Sequence, residues 1–155
     1  MFDRVCDPNS VVLKGRVKSV VRGPGGDIKQ TLESNNVICT NGKDFLANFL
    51  SSAAAAASTF TMRYVAVGSD STAETAADTA LGIEVGRHTG TVSYLSGAIY
   101  QVTATFPTGV AAGAITEYGI LSSNTAGTLL GRLTSSVVNV GSNDTLTVTY
   151  QITLS

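Results

Sequence analysis

From Thr145 to Leu154 the sequence "TLTVTYQITL" alternates without a break, setting Leu146, Val148, Tyr150, Ile152 and Leu154 against Thr145, Thr147, Thr149, Gln151 and Thr153. Successive side chains of a strand point to opposite faces, so this segment makes one apolar face and one hydroxyl-rich face. The pattern recurs in "TVSYLSGAIYQVTATF" (Thr91–Phe106), with Val92, Tyr94, Ala98, Tyr100, Val102, Ala104 and Phe106 on one side. Pro107 ends that run, because proline has no amide to give a ladder. Further strands are expected at Val11–Val21, Ile28–Thr40, Met62–Val67, Ile83–His88, Ile115–Leu121 and Leu129–Val138. "RGPGGD" (Arg22–Asp27) reads as a hairpin tip, and "PTGVAAG", "SSNTAG" and "NVGSND" punctuate the later strands. Short strands with frequent turns predict an all-β protein, an antiparallel β-sandwich with a jelly-roll-like core or a barrel, rather than βαβ units.

One segment departs from period two. "TNGKDFLANFLSSAAAAA" sets Phe45, Leu46, Phe49 and Leu50 on one helical stripe, and either Thr40 or Asn41 can cap it. Asp44 is expected in the first turn, where a helix favours negative charge. This one short helix is expected to plug an end or side of the β core, with its extension through Ala53–Ala57 open. The chain suits a single core domain over 35–155, and residues 1–34 either form an N-terminal β-hairpin arm or pack into that domain.

Charge restricts the possible partners. Only 14% of the 155 residues are charged, against about a quarter in ordinary soluble domains, and the net charge is −1. No general basic field is available for nucleic acid or an anionic membrane. The densest basic group is Lys14, Arg16, Lys18 and Arg22, of which Arg16, Lys18 and Arg22, with Pro24 and Asp27 of the tip, are the candidate interaction residues. Few charged gatekeepers leave Ser-, Thr- and Ala-rich surfaces that resist association poorly, as expected of a protein covered by its neighbours. The start "MFDRVCDPNS" has no signal-peptide pattern, and no apolar run is long enough to span a bilayer. Cys6 and Cys39 form no CxxC pair, and reduced thiols are expected.

Reactive constellations are scarce. His88 is the single histidine, no GxSxG elbow accompanies it, and one histidine removes most zinc sites. "VICTNGK" fails as a phosphate loop, with Val37 and Asp44 where glycine and a hydroxyl are required. Asp70, Glu74 and Asp78 recur every fourth residue, but the spacing is not that of a calcium loop. They are expected to line a solvated crossover. Glu33, Glu84, Glu117 and Asp144 fall one per strand or turn and are not expected to converge into a carboxylate pair. No catalytic residue, cofactor or metal is assigned.

Several ordered motifs carry a resemblance. "YVAVGSDSTAETAADTALGIEVGR", "YQVTATFPTGVAAGAITEYGILSSNTAGTLLGRLTSSVV" and "NDTLTVTYQITLS", preceded by "NGKDFLANFL", resemble a family of small bacteriophage virion proteins. That family's layout runs "VAVGTG", "TALG.E", "ATFP", "ITE.GI", "GT.L.R" and a final "DTLT.T...TF" strand. The resemblance spans roughly residues 35–155. It includes counterparts of Asp78, Thr79, Ala80, Leu81 and Gly82, but no acids matching Asp70 or Glu74, which makes this stretch a strand crossover. It implies a non-enzymatic structural protein of the virion, made in the host cytoplasm. The expected role is a capsid decoration or cement protein on the outer shell, acting as a homo-oligomer, taken as a homotrimer, with the major capsid protein as partner. Alternatives are a tail, baseplate or fibre component bound to other tail proteins, or a host-glycan-binding module.

Overall fold

The computed structural model describes residues 12–51, 62–95 and 98–154. Its elements are β1 (Leu13–Arg22), β2 (Ile28–Ile38), α1 (Thr40–Ser51), β3 (Tyr64–Gly68), β4 (Glu84–Thr89), β5 (Thr91–Leu95), β6 (Ile99–Phe106), β7 (Gly113–Leu121), β8 (Leu129–Val140) and β9 (Thr145–Leu154). The fold is all-β, as the alternation predicts. The strands form one nearly closed antiparallel sheet in the order β4-β3-β7-β8-β2-β1-β9-β6-β5.

Two corners divide this sheet into leaves. The β1 leaf holds β2, β1, β9, β6 and β5, and the β8 leaf holds β8, β7, β3 and β4. At the first corner β2 pairs with β1 along most of its length, then gives Val37 and Ile38 to β8. At the second, only Gly90 separates β4, which pairs with β3, from β5, which pairs with β6. Strands that bend from one sheet into another make such corners. Gly90 donates its amide to the Arg63 carbonyl at 2.7 Å, and a Cβ there would lie 2.4 Å from Val102 Cγ1. Only glycine lets the backbone turn this closely against β6.

The core lies between the leaves. Inward rows run across the β1 leaf: Val92, Val102, Tyr150 and Val17 in one, Phe106, Leu146 and Val21 in another. They meet Val65, Val67, Tyr118, Ile120, Leu133 and Val138 of the β8 leaf. Full burial of one such aliphatic or aromatic side chain stabilises by about 1.5–3 kcal/mol. Ser19, also wholly buried, accepts a hydrogen bond from the Tyr118 hydroxyl at 3.2 Å.

Several expectations need correction. Thr91–Phe106 is a hairpin rather than one strand, with Val92 opposite Val102 and Tyr94 opposite Tyr100. Its alternation survives the turn because paired residues share a face, so sequence periodicity cannot see the reversal. Thr40 lies inside α1, and the Cys39 carbonyl accepts from Gly42 and Lys43 at the helix start. The helix therefore begins one residue early, and its first turn holds no acid. α1 packs on β8, with Phe45 and Leu46 against the core; Ala53–Ala57 lie outside the described residues. β1 and β2 are integral to the sheet: β1 pairs with β9 over all its length, and Val17 and Val21 are wholly buried.

Candidate functional site

The outward face of the β8 leaf carries the most concentrated polar chemistry. In β7, Ile115, Tyr118 and Ile120 point into the core, while Glu117, Gly119 and Leu121 face out beneath the loop 69–83. Thr134 and Arg132 of β8 stand opposite Glu117 and Gly119. Leu81 closes over this ground with Cys39, Ala66, Leu121 and Leu129 in a second apolar cluster. A Cβ at Gly119 would lie 2.3 Å from the Leu81 Cδ1 atom, so the missing side chain is what lets the loop sit down.

Three carboxylates meet at Arg132. Its Nε donates to Glu117 at 3.0 Å, one terminal nitrogen to Asp78 at 2.9 Å and the other to Asp70 at 2.9 Å. Glu117 is wholly buried and also accepts from the amides of Gly82 at 2.9 Å, Ile83 at 2.7 Å and Asp70 at 3.4 Å. A carboxylate offers about four lone-pair sites, so these donors exhaust it. Asp70 further accepts from the amide and hydroxyl of Thr72, and Asp78 from those of Thr75. Glu74 accepts from the amide and hydroxyl of Thr134. The loop ends are tied by Ser69 N to the Ile83 carbonyl, and Thr40 N of α1 reaches the Ala76 carbonyl.

Electrostatics agrees with this geometry. The Thr72 amide and hydroxyl, with Arg132 behind them, hold Asp70 below the ordinary aspartate range. Burial works against ionisation of Asp78, but the Thr75 amide and Arg132 outweigh it and its pKa is lowered. Burial likewise opposes the Arg132 charge, and the bonds to Asp78 and Glu117 more than restore it. Burial, reinforced by Asp78, pushes the free Cys39 thiol up to about 11, which leaves it unreactive. Cys6 lies outside the described residues.

This overturns the expectation that Asp70, Glu74 and Asp78 line a solvated crossover and that no acids converge. The segment does cross from β3 to β4, but its acids turn inward onto β7 and β8. The cation among them is a guanidinium, and among the described residues no cluster of His, Cys, Asp and Glu is arranged to hold a metal. Sequence reasoning missed Glu117, Arg132 and Thr134 as partners. A signal was present: "ITEYGIL" and "LLGRL" each bury one charge in an apolar strand, and the charges are opposite. His88 stands apart, with Nδ1 3.0 Å from the Thr89 carbonyl and its ring 5.8 Å from Phe106.

The outward face of the β1 leaf is different. One row reads Ser93, Gln101, Gln151, Arg16 and Asn35; the next reads Thr91, Thr103, Thr149, Lys18 and Glu33. Gln151 donates to Gln101 at 2.8 Å, the Thr103 and Thr149 hydroxyls lie 3.2 Å apart, and Arg16 pairs with Glu33. Arg16, Lys18, Glu33, Gln101, Thr149 and Gln151 line a shallow depression of about 320 Å³. Of the sequence-chosen residues, Arg16, Lys18 and Arg22 do share this face, and the first two border the depression. Arg22 donates to the Gly26 carbonyl at 3.0 Å, bracing the tip that contains Pro24 and Asp27. No known protein family, curated protein or solved structure matches the chain.

Proposed function

We propose that this chain is a non-enzymatic structural protein of a bacteriophage virion, a decoration or cement subunit seated on the outer shell between capsomers. The observation that carries the reading is the outer face of the β1 leaf, uncovered by any described residue, five strands that present mainly Thr, Gln, Asn, Ser, Lys and Arg, with Glu33, Val20, Leu95 and Ile99 among them. At strand spacings of about 4.8 Å and a rise of about 3.4 Å per residue, five strands of eight residues offer on the order of 600 Å². A specific interface takes about 800 Å² from each partner, so this face nearly supplies one side of it.

Two further features support the reading. The reactive groups of the other face are committed to internal bonds, and the runs "VAVG", "TALG", "ITEYGI" and "GTLLGR" meet around Arg132. The motifs behind the resemblance thus encode a latch of the fold. As cement, the subunit would bridge neighbouring capsomers, and their separation would re-expose the buried faces on both sides. Repetition of the contact by shell symmetry multiplies its effect.

Imaging of intact particles tests this. Density for the chain at capsomer junctions, following shell symmetry, is the expected result. Density confined to the tail would make it a tail component, and purified particles lacking the chain would end the structural reading.

A further inference from the structure

Two observations on the uncovered face go beyond a general wish to be covered. The first is a cationic row. Lys14, Arg16 and Lys18 occupy alternate positions of β1 and point outward, so their Cα atoms are spaced about 6.8 Å apart. Arg16 is paired with Glu33, but Lys14 and Lys18 make no ion pair among the described residues. The second is the depression beside Arg16 and Lys18, whose other walls are Glu33, already neutralised by Arg16, the Gln101–Gln151 amide pair and Thr149. Such a wall provides amide and hydroxyl donors next to two cations.

We infer that this face recognises an acidic, extended segment of another protein, with carboxylates at alternate positions matching the Lys14, Arg16 and Lys18 row. The inference rests on the structural reading above for the kind of partner and names that partner's chemistry. Charge disfavours one competing occupant and the lack of stacking surfaces disfavours the others. Among the described residues a second copy has no row of uncommitted carboxylates to offer: Glu33, Glu84 and Asp144 are paired with Arg16, Arg87 and Lys29, four more acids serve the loop over β7 and β8, and Asp27 and Asp44 stand singly on a turn and a helix. Sugars and single-stranded nucleic acid are held by aromatic platforms. Among the described residues this face has none, since Tyr94, Tyr100 and Tyr150 lie on the opposite side of their strands.

The test uses the full chain, labelled with ¹⁵N and titrated with a dodecapeptide of alternating Glu and Thr, and in parallel with its Lys–Thr counterpart, heparin and oligo(dT). The expected result is saturable shifts of amides in Lys14–Arg22, Gln101, Thr149 and Gln151 with the Glu–Thr peptide alone. Lys14→Glu with Lys18→Glu should weaken that binding at least ten-fold and leave thermal unfolding unchanged. Equal binding of the Lys–Thr peptide, tighter binding of heparin or oligo(dT), shifts centred elsewhere, or none at millimolar peptide would overturn the inference. So would concentration-dependent self-association abolished by the same double variant. Failure here leaves particle imaging untouched, and absence from particles leaves a positive titration standing.

Discussion

The outward faces of the two leaves are made from similar strands and have opposite fates. On the β8 leaf the outward positions are Gly68, Glu117, Gly119, Arg132 and Thr134, and the loop 69–83 bonds to nearly every polar atom they present. On the β1 leaf they are mainly Thr, Gln, Lys and Arg, with Glu33 paired to Arg16, and their side chains bond chiefly to one another. Glycine makes the difference. Small outward residues create a trough that a loop can enter, whereas long or branched outward residues present a filled surface that only another molecule can cover. Charge follows the division in part: Asp70, Glu74, Asp78 and Glu117 gather under the loop around Arg132, while Lys14, Arg16 and Lys18 line the open strand β1 with Glu33 as their one neighbouring acid.

The largest effect that would break this comparison comes from removing one cation on each face. Arg132→Met should destabilise by about 3–5 kcal/mol, because it strands the wholly buried Glu117. Lys18→Met, on the open face, should stay within about 0.5 kcal/mol of the parent. Urea unfolding measures both. Comparable losses would mean that the open face also holds the fold together.

Next in size is the helix that shares the cover. Gly42→Ala should favour an isolated helix by about 1 kcal/mol on propensity. Here α1 lies so close to β8 that a Cβ at 42 would sit 2.5 Å from the Leu130 Cα, and backbone cannot swing aside. The net expectation is a loss of about 1–3 kcal/mol by overpacking. A gain would show that the helix rides loosely on the sheet.

Acid sharpens the comparison further, since only the covered face concentrates carboxylates. Asp70 and Asp78 have folded pKa values below the ordinary 3.8. Their stabilisation is therefore complete above the unfolded value and is lost as pH falls through the folded ones. Urea midpoints should hold down to about pH 4 and then decline. Asp144, lowered by Lys29 and the Gly141 amide, adds its share in the same window. Arg132→Met should make the decline shallower by removing one of the causes of the Asp70 and Asp78 shifts; an unchanged slope would assign those shifts to the Thr72 and Thr75 bonds alone.

How much of this was legible in the sequence differs between the faces for a physical reason. The open face is encoded locally: Thr145–Thr153 and Lys14–Arg22 alternate along single strands, and alternation alone sorts their side chains. The latch is encoded at a distance. Glu117 meets Asp70 across 47 positions and Arg132 meets it across 62, so no window of sequence holds both ends. The fourfold spacing of Asp70, Glu74 and Asp78 gives no hint of a partner, and the segment is a loop whose reach is set by Leu81 seated on Gly119. The hairpin inside Thr91–Phe106 was hidden because pairing kept the alternation in phase.

The smallest expected effect is the most direct probe of the open face. Thr103 and Thr149 stand opposite one another on β6 and β9, with hydroxyls in contact. A cross-strand hydroxyl pair contributes about 0.2–1 kcal/mol, and valine recovers much of that through its preference for pleated surfaces. Thr103→Val with Thr149→Val should therefore change stability by less than about 0.5 kcal/mol, while removing polar donors from the wall beside Lys18. Binding of the Glu–Thr peptide should weaken although the fold does not. A variant that unfolds more easily yet binds as before would mean that these hydroxyls serve the sheet, and that a partner's acids meet the lysines alone.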